Sequence, residues 1–365
     1  MMYRAGIIGA GGIAGLGILG MHDEDDVGET KVRASHAGGY DATEDIELVA
    51  VADVDEETLA TFGDAWDVPA EHRYTSHEAM LAAEDLDAVS VCTPSYLHHD
   101  HVVDAASAAD PPSVIWCEKP IASQVANARA MIDACDRREI DLVVNHSFRF
   151  TEKLQRLRTL LQDEALLGEV QSVSAQFRQE LLRNATHVLD TLSYLLDQDV
   201  DTVAGHLTGT NGATTALDAD EQVTDSGGGG FLVTDEDVYV NVDCTLEREI
   251  SSMTFQIVGT EGKCYLNNDD GEWRYWRLED GEHVERELPG IDGAWSWDED
   301  YRSAFPNAAR HVSDLLDGAA TNHSPGTEAI TSLEVIIGLY VSHNTDSIVS
   351  LPLERPLEDV TVTSW

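Results

Sequence analysis

The residue of this sequence best suited to act on a substrate hydroxyl is a lysine. Lys119 follows an apolar run that ends in Cys117 and Glu118, and it is one of only four lysines among 22 basic residues. Its ammonium can hydrogen-bond to a reacting hydroxyl and stabilise developing alkoxide charge, which the fixed guanidinium of arginine does less adaptably. The sequence therefore predicts a catalytic Lys119; the alternative is an ion pair at the end of a strand.

A glycine pattern directly after the first apolar run predicts a dinucleotide site. The residues are Gly9, Ala10, Gly11, Gly12, Ile13 and Ala14. In such a GxGxxA turn the first glycine permits a tight turn, the second lets the backbone approach a pyrophosphate, and the alanine allows close helix–strand packing. The helix that follows would offer free N–H groups to the phosphates. A plain tight turn is the alternative, but the position ahead of a βαβ series favours cofactor binding.

Asp53 is predicted to select the cofactor because it ends the second apolar run. A carboxylate there accepts hydrogen bonds from a ribose 2′-hydroxyl and repels a 2′-phosphate, which favours NAD and leaves NADP possible. Asp53 lies 44 residues beyond Gly9, whereas the usual offset is about 20. The difference predicts an insertion at Gly15–Lys31, either a solvated loop or a lid. Asp53 could instead cap a helix, a task that Asp55 could also perform.

Two more segments lie at predicted strand ends, where open α/β sheets bind their ligands. They contribute the remaining candidate cofactor residues: Thr93, Pro94, Leu97, His98, Glu118 and Lys119.

The elements that must hold these residues alternate between strand and helix patterns up to about residue 147. Strands are predicted at Tyr3–Ile8, Glu47–Ala52, Ala88–Cys92, Val114–Cys117 and Leu142–Val144. Helices are predicted at Glu56–Gly63, Ser76–Ala83, His98–Ala109 and Ser123–Arg138. This alternation is typical of an α/β domain with a doubly wound parallel sheet, so residues 1–147 are predicted to form a Rossmann domain.

Residues 148–365 show a different pattern, a run of strands with segregated helices. Strands are predicted at Glu169–Gln179, Val200–Thr208, Gly230–Val233, Val238–Thr245, Thr254–Gly259, Lys263–Leu266 and Trp273–Leu278. Helices are predicted at Ala185–Leu196, Asp300–Leu316 and Pro325–His343, and a mobile loop at Thr210–Gly230. The expected fold is an α+β domain with a large, mostly antiparallel open sheet.

Composition limits the possible partners and setting. Acidic residues outnumber basic ones 68 to 22, a formal net charge of −46. Such a surface repels phosphate backbones and anionic lipids, and no run reaches the roughly 20 apolar residues of a membrane span, so neither nucleic acid nor membrane is expected. Acidic, lysine-poor surfaces are typical of adaptation to molar salt; the alternative is an ordinary acidic cytosolic protein. Five scattered cysteines and no signal-peptide pattern predict a cytoplasmic protein with neither disulfides nor a metal site.

Several motifs in order resemble one known family. They are Gly6-Ile7-Ile8-Gly9-Ala10-Gly11, Cys92-Thr93-Pro94 with Leu97-His98, Glu118-Lys119-Pro120, Arg149, Leu167-Gly168-Glu169-Val170, Gly259-Thr260-Glu261-Gly262 and Val349-Ser350-Leu351-Pro352-Leu353. The chain resembles the glucose–fructose oxidoreductase, inositol dehydrogenase and MocA family of NAD(P)-dependent sugar oxidoreductases. The resemblance implies a sheet domain that forms dimers or tetramers, and Lys119 beside the nicotinamide and the substrate hydroxyl.

The same resemblance assigns residues of the second domain. Its D-x-x-x-H-x-x-D pattern places the catalytic histidine at His187 and the last acid at Asp190, which is interpreted as structural, while Arg183 replaces the first acid. Asn184 is predicted to bind substrate through its amide. His187 alone can serve as general base, since an imidazole titrates near neutral pH; a histidine facing the core is the alternative. Arg149 is predicted near the substrate, with an interdomain ion pair as the alternative.

These residues predict an NAD-dependent dehydrogenase of a sugar, sugar derivative or nucleotide sugar. Two other functions remain open: an enzyme that keeps NAD as an internal redox agent, and a non-catalytic NAD- or sugar-binding regulator. The tryptophan-rich segments 273–276 and 295–297 could stack on sugar rings, or pack a sheet face or subunit interface.

Overall fold

The computed structural model describes residues 2–17, 33–208, 222–247, 249–250 and 252–363. The chain divides into two compact units, and each is built from separate stretches of sequence. The first contains Met1–Ala122, Asn127–Phe150 and Tyr301–Thr327; the second contains Ser123–Ala126, Thr151–Asp300 and Glu328–Trp365. A single boundary after residue 147 therefore differs from this division, because residues 301–327 pack with the N-terminal stretches.

The helices of the described residues are α1 (His36–Asp41), α2 (Glu56–Ala65), α3 (His77–Ala83), α4 (His98–Ser107), α5 (Val125–Asp136), α6 (Glu152–Gln162), α7 (Thr186–Leu196), α8 (Arg302–Leu316) and α9 (Gly326–Thr345). None of them has both the length and the apolar character that a membrane span requires.

The first unit is built on a parallel sheet of six strands. They are β1 (Tyr3–Ile8), β2 (Ile46–Ala52), β3 (Arg73–Tyr74), β4 (Ala88–Val91), β5 (Val114–Glu118) and β6 (Asp141–Asn145). Their order is β3-β2-β1-β4-β5-β6. The chain adds strands to one side of β1 and then, from β4 onward, to the other side. This is the doubly wound arrangement, in which ligands bind at the carboxyl ends of the strands. The predicted Rossmann fold is confirmed.

The core of this unit explains why α8 belongs to it. Every residue of β4 and β5 is buried, as expected for parallel strands covered on both faces. Helix α8 packs against α1, where the position of a Cβ on Gly39 would lie 2.7 Å from the Phe305 carbonyl oxygen. Trp116 of β5 lies next to Phe305, with their ring centroids 6.4 Å apart. Helix α8 therefore forms part of the core of the first unit, although it lies far along the chain.

The second unit contains a nine-stranded sheet and a small two-stranded one. The strands are β7 (Val170–Arg178), β8 (Val200–Thr208), β9 (Gln222–Thr224), β10 (Gly227–Thr234), β11 (Tyr239–Leu246), β12 (Thr254–Gly259), β13 (Gly262–Asn267), β14 (Glu272–Glu279), β15 (Glu282–Arg286), β16 (Val349–Ser350) and β17 (Thr361–Thr363). The large sheet has the order β15-β14-β13-β12-β7-β11-β10-β8-β16, and only the β7–β11 pair is parallel. The predicted, mostly antiparallel sheet is confirmed.

The predicted loop at Thr210–Gly230 is wrong over the part that the structure describes. Gln222–Thr224 form β9, and the glycine run 227–230 begins β10; residues 209–221 lie outside the described residues. The glycines are needed because neighbouring backbone approaches closely: a Cβ on Gly230 would lie 2.0 Å from the Ala204 carbonyl oxygen. Glycine here serves strand packing, whereas in sequence it indicates a loop.

Candidate active site

The first glycine of the turn is required by its surroundings. Gly9 follows β1 with φ +91°, a backbone conformation that other residues rarely adopt. A Cβ on Gly9 would lie 2.8 Å from Thr93 Cγ2 and 3.0 Å from the Cys92 carbonyl carbon. Its N–H donates to the Ala52 carbonyl oxygen at 2.8 Å, which ties the end of β1 to the end of β2. Glycine is therefore the residue that permits this turn between three strand ends.

Gly11 faces open space. A Cβ built on it would meet no heavy atom within 4 Å, and its backbone is extended with φ −76° and ψ −158°. A pyrophosphate approaching the turn needs this kind of unobstructed backbone. The residues present therefore fit a dinucleotide at this position.

The helix expected after the turn is shorter than the motif predicts. Gly12–Leu16 form a single π-helical turn, and the insertion predicted at Gly15–Lys31 lies mostly outside the described residues. The next described helix, α1, begins at His36. Ala14 is buried as expected, but the tightest packing falls on Gly15, where a Cβ would lie 2.3 Å from Trp66 Nε1. Within the described residues, no long helix begins at the glycine turn. The N–H groups that such a helix was expected to offer to the phosphates are therefore not found there.

Asp53 is tied to the glycine turn rather than to a helix. Its Oδ2 accepts the Ala10 N–H at 2.7 Å, and its Oδ1 accepts the Asp55 N–H at 2.9 Å. The N-cap of α2 is Asp55, which accepts the Thr58 N–H at 2.7 Å. These hydrogen bonds to Thr58 lower the pKa of Asp55. The capping role thus belongs to Asp55, and Asp53 places a half-buried carboxylate beside the turn.

His98 connects two of the predicted segments. It is buried, with Nε2 2.8 Å from the Thr93 carbonyl oxygen and Nδ1 3.0 Å from that of Pro120. Burial lowers its pKa, so the neutral ring donates to one carbonyl at a time. Thr93 Oγ1 also lies 2.9 Å from Nδ1 of His101. His98 thereby fixes the segment that contains Pro94 and Leu97 relative to the segment that contains Lys119.

Lys119 follows the last residue of β5, and its side chain is half-buried. The preceding Glu118 is buried, and its Oε1 lies 3.0 Å from Nε2 of His36 and accepts a short hydrogen bond from the Asn145 amide. Burial would raise the pKa of Glu118, but the bond and attraction from His36, the attraction of Lys119 and the bond from Asn145 outweigh it, so the pKa is lowered. A buried, ionised carboxylate therefore directly precedes the lysine at the end of β5.

No pattern in the sequence indicates a role for His36. It lies after the predicted insertion and 82 residues before Glu118 in the chain.

Arg149 lies in the turn Ser147–Phe150 after β6 and is buried, 1% exposed. Its Nη1 donates to the His323 carbonyl oxygen at 3.1 Å.

The remaining candidates lie in the second unit, where α7 begins. His187 is half-buried at the second position of α7, and Asp190 is buried one turn later. Asn184 is buried, and its Nδ2 donates to the Gln179 carbonyl oxygen at 2.7 Å and to Glu180 Oε2 at 3.2 Å. Its amide nitrogen is therefore occupied by the chain's own acceptors.

A half-buried carboxylate binds the backbone at Arg183, the residue that replaces the first acid of the family pattern. The backbone N–H groups of Leu182 and Arg183 each donate to Asp225 at 2.9 Å, and Tyr340 donates to it at 3.2 Å. Burial raises the pKa of Asp225 to about 6, despite these bonds. The side chain of Arg183 is exposed. Sequence reasoning missed Asp225, which lies 42 residues from Arg183 in the chain.

The tryptophan segments pack against each other. Trp273 and Trp295 stack with ring centroids 5.5 Å apart, and Trp297 meets Trp295 edge-on at 6.2 Å. This arrangement supports the packing interpretation over sugar stacking.

All five cysteines are free and buried, and burial raises the pKa of Cys92 and of Cys117. Thiol chemistry is therefore disfavoured.

One group among the described residues has the donor types of a metal site, and the sequence had predicted none. His77, Glu78 and Asp104 place one ligand atom each within 4.8 Å of one another. His77 Nε2 lies 2.9 Å from Asp104 Oδ2 at the surface, and this hydrogen bond accounts for the cluster without a metal.

A parallel sheet with a glycine turn after its first strand and a carboxylate after its second is the arrangement of a Rossmann domain that binds a dinucleotide. A family model described as "Oxidoreductase family, NAD-binding Rossmann fold" matches residues 3–146. Residues 3–146 are thus similar to this family, that of glucose–fructose oxidoreductase, inositol dehydrogenase and MocA, as the motifs of the sequence predict.

Individual relatives extend the match. A D-apiose dehydrogenase of Paraburkholderia graminis is 29% identical over 360 residues, 90% of each chain. A D-xylose 1-dehydrogenase (NADP(+)) of Haloferax volcanii is 34% identical over 131 residues, 36% of this chain and 38% of the relative. The WlbA dehydrogenase of Bordetella pertussis, solved with NADH and UDP-GlcNAcA, superposes with a TM-score of 0.74 at 19% identity, covering 97% of this chain and 100% of that one. At this identity the superposition supports the fold alone.

Proposed function

We propose that this protein is an NAD-dependent dehydrogenase that oxidises a hydroxyl carbon of a sugar or sugar derivative. The observation that carries the proposal is Lys119, which follows β5 at the sheet edge where the Gly9 turn and Asp53 also lie. A relative that covers 90% of this chain is named D-apiose dehydrogenase, which supports a carbohydrate as the substrate class.

In the proposed mechanism two residues of the chain act on the same hydroxyl group of the substrate. The Lys119 ammonium holds the hydroxyl oxygen and stabilises its developing negative charge, and His187 takes the proton. NAD⁺ held at the glycine turn and Asp53 would supply the acceptor for the hydride that leaves the carbon carrying this hydroxyl. The carbon thereby loses two electrons and becomes a carbonyl carbon. Arg149 and Asn184 are proposed to bind other polar groups of the substrate, and this assignment rests on the family resemblance.

The residues proposed to hold NAD are those of the glycine turn, Asp53 and the strand-end segments. Asp53 supports NAD because its carboxylate stands beside the turn, where it would repel a 2′-phosphate. The Haloferax volcanii relative is named as an NADP enzyme, so the preference needs a direct test.

The experiment is a screen of aldoses, sugar acids, inositols and nucleotide sugars with NAD and NADP in molar KCl, followed by variants on the best substrate. Lys119→Met and His187→Ala are each expected to lower kcat by at least about 100-fold, the usual range for losing an acid–base or charge-stabilising group. Lys263→Met is the matched control, because Lys263 lies over the Trp276 ring, 5.4 Å from its centroid, in the large sheet. Full turnover by Lys119→Met would overturn the mechanism.

The same screen separates the other two functions. Turnover without release of NADH would favour NAD as an internal redox agent. Tight NAD binding without turnover of any sugar would favour a regulator.

We further propose a homodimer or homotetramer that pairs through the large sheet. Tyr239 of β11 is 47% exposed and Leu278 of β14 is 41% exposed, and large apolar side chains on a sheet face suit a subunit interface. Light scattering in molar KCl tests this, and a monomeric mass would contradict it.

A cytoplasmic, salt-rich setting is proposed on two observations. The cysteines are free and buried, as is usual in a reducing compartment, and the net charge is −46.

A further inference from the structure

A series of hydrogen bonds links four buried polar side chains and ends at Glu118, the residue that precedes Lys119. Tyr40 Oη lies 2.7 Å from Ser90 Oγ, which lies 2.9 Å from His36 Nδ1. His36 Nε2 lies 3.0 Å from Glu118 Oε1, and the Lys119 backbone N–H donates to Glu118 Oε2 at 3.3 Å. Tyr40 and His36 come from α1, Ser90 from β4 and Glu118 from β5. All four are less than one-tenth exposed.

The direction of each hydrogen bond follows from the last acceptor. A carboxylate can only accept, so His36 Nε2 carries a proton and donates it to Glu118. In a neutral ring Nδ1 then accepts from the Ser90 hydroxyl, and Ser90 accepts from Tyr40. Burial raises the pKa of Tyr40, which keeps its hydroxyl as a donor. The Trp116 ring lies against His36 with centroids 3.9 Å apart and holds the imidazole in this orientation.

The negative charge of Glu118 acts on several titratable groups. Those with an electrostatic interaction with it in the described part of the chain include His36, Cys92, His98, Cys117 and Lys119. Burial raises the pKa of both thiols and lowers that of His98, so these three groups remain neutral at pH 7. Of the other two groups, His36 is bonded to the carboxylate, and Lys119 is the cation that would meet the substrate. In a low-dielectric surrounding, the attraction between carboxylate and ammonium is strong.

We propose that His36 is a positioning residue for Lys119: it holds Glu118 as an oriented carboxylate, and Glu118 in turn keeps Lys119 protonated at the site. The proposal rests on the proposed function of Lys119 as the group that binds the reacting hydroxyl. An ammonium can donate to that oxygen and stabilise alkoxide charge, whereas a neutral amine does so far less well.

The chain's scarcity of lysine provides a direct test on the full-length protein without substrate. Lysine labelled with ¹³C at Cε gives signals from only four side chains, each assignable from a Lys→Arg variant. Titration of these signals follows the ammonium of Lys119. Lys153, which pairs with Asp300 at 2.9 Å, and Lys263, which lies over Trp276, serve as internal controls.

Glu118→Gln removes the charge at constant shape, and His36→Leu removes the donor that holds it. Glu118→Gln is expected to move the titration midpoint of Lys119 down by about one pH unit, the usual effect of losing a close opposite charge. His36→Leu leaves the carboxylate charged but no longer held in place, so its shift should have the same direction and be smaller. His36→Gln can still donate from its amide and is expected to restore most of the shift. The midpoints of Lys153 and Lys263 should stay within experimental error in all three variants.

An unchanged Lys119 midpoint in Glu118→Gln would overturn the proposal, even if His36→Leu were too unstable to measure. Equal shifts in His36→Gln and His36→Leu would overturn the role given to the Nε2 donor. The proposed function fails separately, through full turnover by Lys119→Met, whatever the titration shows.

Kinetics give the second readout. Because the account requires the ammonium for activity, the alkaline limb of the kcat/KM profile, which reports groups of the free enzyme, should shift to lower pH in Glu118→Gln and in His36→Leu by the same amount as the titration of each variant. The KM for NAD should change much less than kcat. A loss of stability with an unshifted alkaline limb would mean that the pair is merely structural, and would contradict the proposal.

Discussion

Asp53 and Asp55 are two carboxylates two residues apart that do different work. Asp53 accepts the Ala10 N–H beside the glycine turn, whereas Asp55 accepts the Thr58 N–H at the start of α2. Their spacing in the sequence leaves both roles open for each residue. The backbone hydrogen bonds assign them, so the two can be tested against each other.

Asp53→Ala is expected to raise the ratio of kcat/KM with NADP to that with NAD by at least about 10-fold, because it removes the repulsion of a 2′-phosphate. Steady-state kinetics with both cofactors measure the ratio. Asp55→Ala is the matched control: it should lower the melting temperature through loss of the cap and leave the ratio unchanged. Equal ratios in Asp53→Ala and the parent would contradict the assignment.

Asp225 predicts an unusual dependence of stability on pH. Its pKa is raised from 3.8 to about 6 in the folded state, so the folded protein binds the proton more tightly than the unfolded chain. Between pH 4 and 6 this group therefore makes stability fall as pH rises, by on the order of 3 kcal/mol in total. Asp225→Asn should remove that fall, as measured by urea denaturation at constant KCl.

Asp243 provides the control in the same unit. Burial would raise its pKa, but hydrogen bonds from Thr245 and Gln176 lower it overall. The stability that it contributes is therefore lost only below pH 4, as the pH falls through the depressed pKa. The difference between Asp243→Asn and the parent should be flat from pH 4 to 6. A similar flat difference for Asp225→Asn would contradict a raised pKa at Asp225.

The turn after β1 predicts opposite outcomes for its first two glycines. Gly9 has φ +91° and no room for a Cβ, whereas Gly11 has an ordinary φ and open space. Gly9→Ala is expected to lower the melting temperature by several degrees, through strain and steric clash. Gly11→Ala should melt like the parent but bind NAD at least about 10-fold more weakly, because its methyl occupies the space for the pyrophosphate.

Calorimetric melting and NAD titration of both variants make the comparison. Tight NAD binding by Gly11→Ala would show that the open space is not where the cofactor lies.

The sheet of the first unit is largely predictable because buried parallel strands are continuous apolar runs. β4 and β5 are each predicted to within one residue at either end. α1 is missed because its segment contains Gly38 and Gly39, which read as a turn in sequence. Gly39 is instead required by the close approach of α8. Contacts between distant stretches, which no local pattern contains, decide such elements.

The candidate site divides in the same way. Gly9 and Lys119 are predictable from spacing, since a tight turn and a strand end are local features. The bond between His36 and Glu118 joins residues 82 positions apart, and the bonds to Asp225 cross 42 or more positions. Neither pair has a signature in sequence, because it exists only once the strands are aligned.

At the scale of the whole molecule, the net negative charge destabilises the folded state. A net charge of −46 on 365 residues implies strong self-repulsion, which molar salt screens to a distance of about 3 Å. The melting temperature is therefore expected to rise by several degrees or more between low and molar KCl. Protonation of carboxylates should reduce this effect near pH 4.5. A melting temperature independent of KCl at neutral pH would contradict adaptation of the surface to salt.

The central claim is that this chain moves a hydride from a sugar carbon to NAD with Lys119 at the reacting hydroxyl. The most direct measurement uses the best substrate of the screen, deuterated at the carbon that becomes the carbonyl, with mass spectrometry of the NADH formed in molar KCl. The account predicts one deuterium in each NADH, and formation at least about 100-fold slower in Lys119→Met. NADH without deuterium, or an equal rate in Lys119→Met, would contradict it.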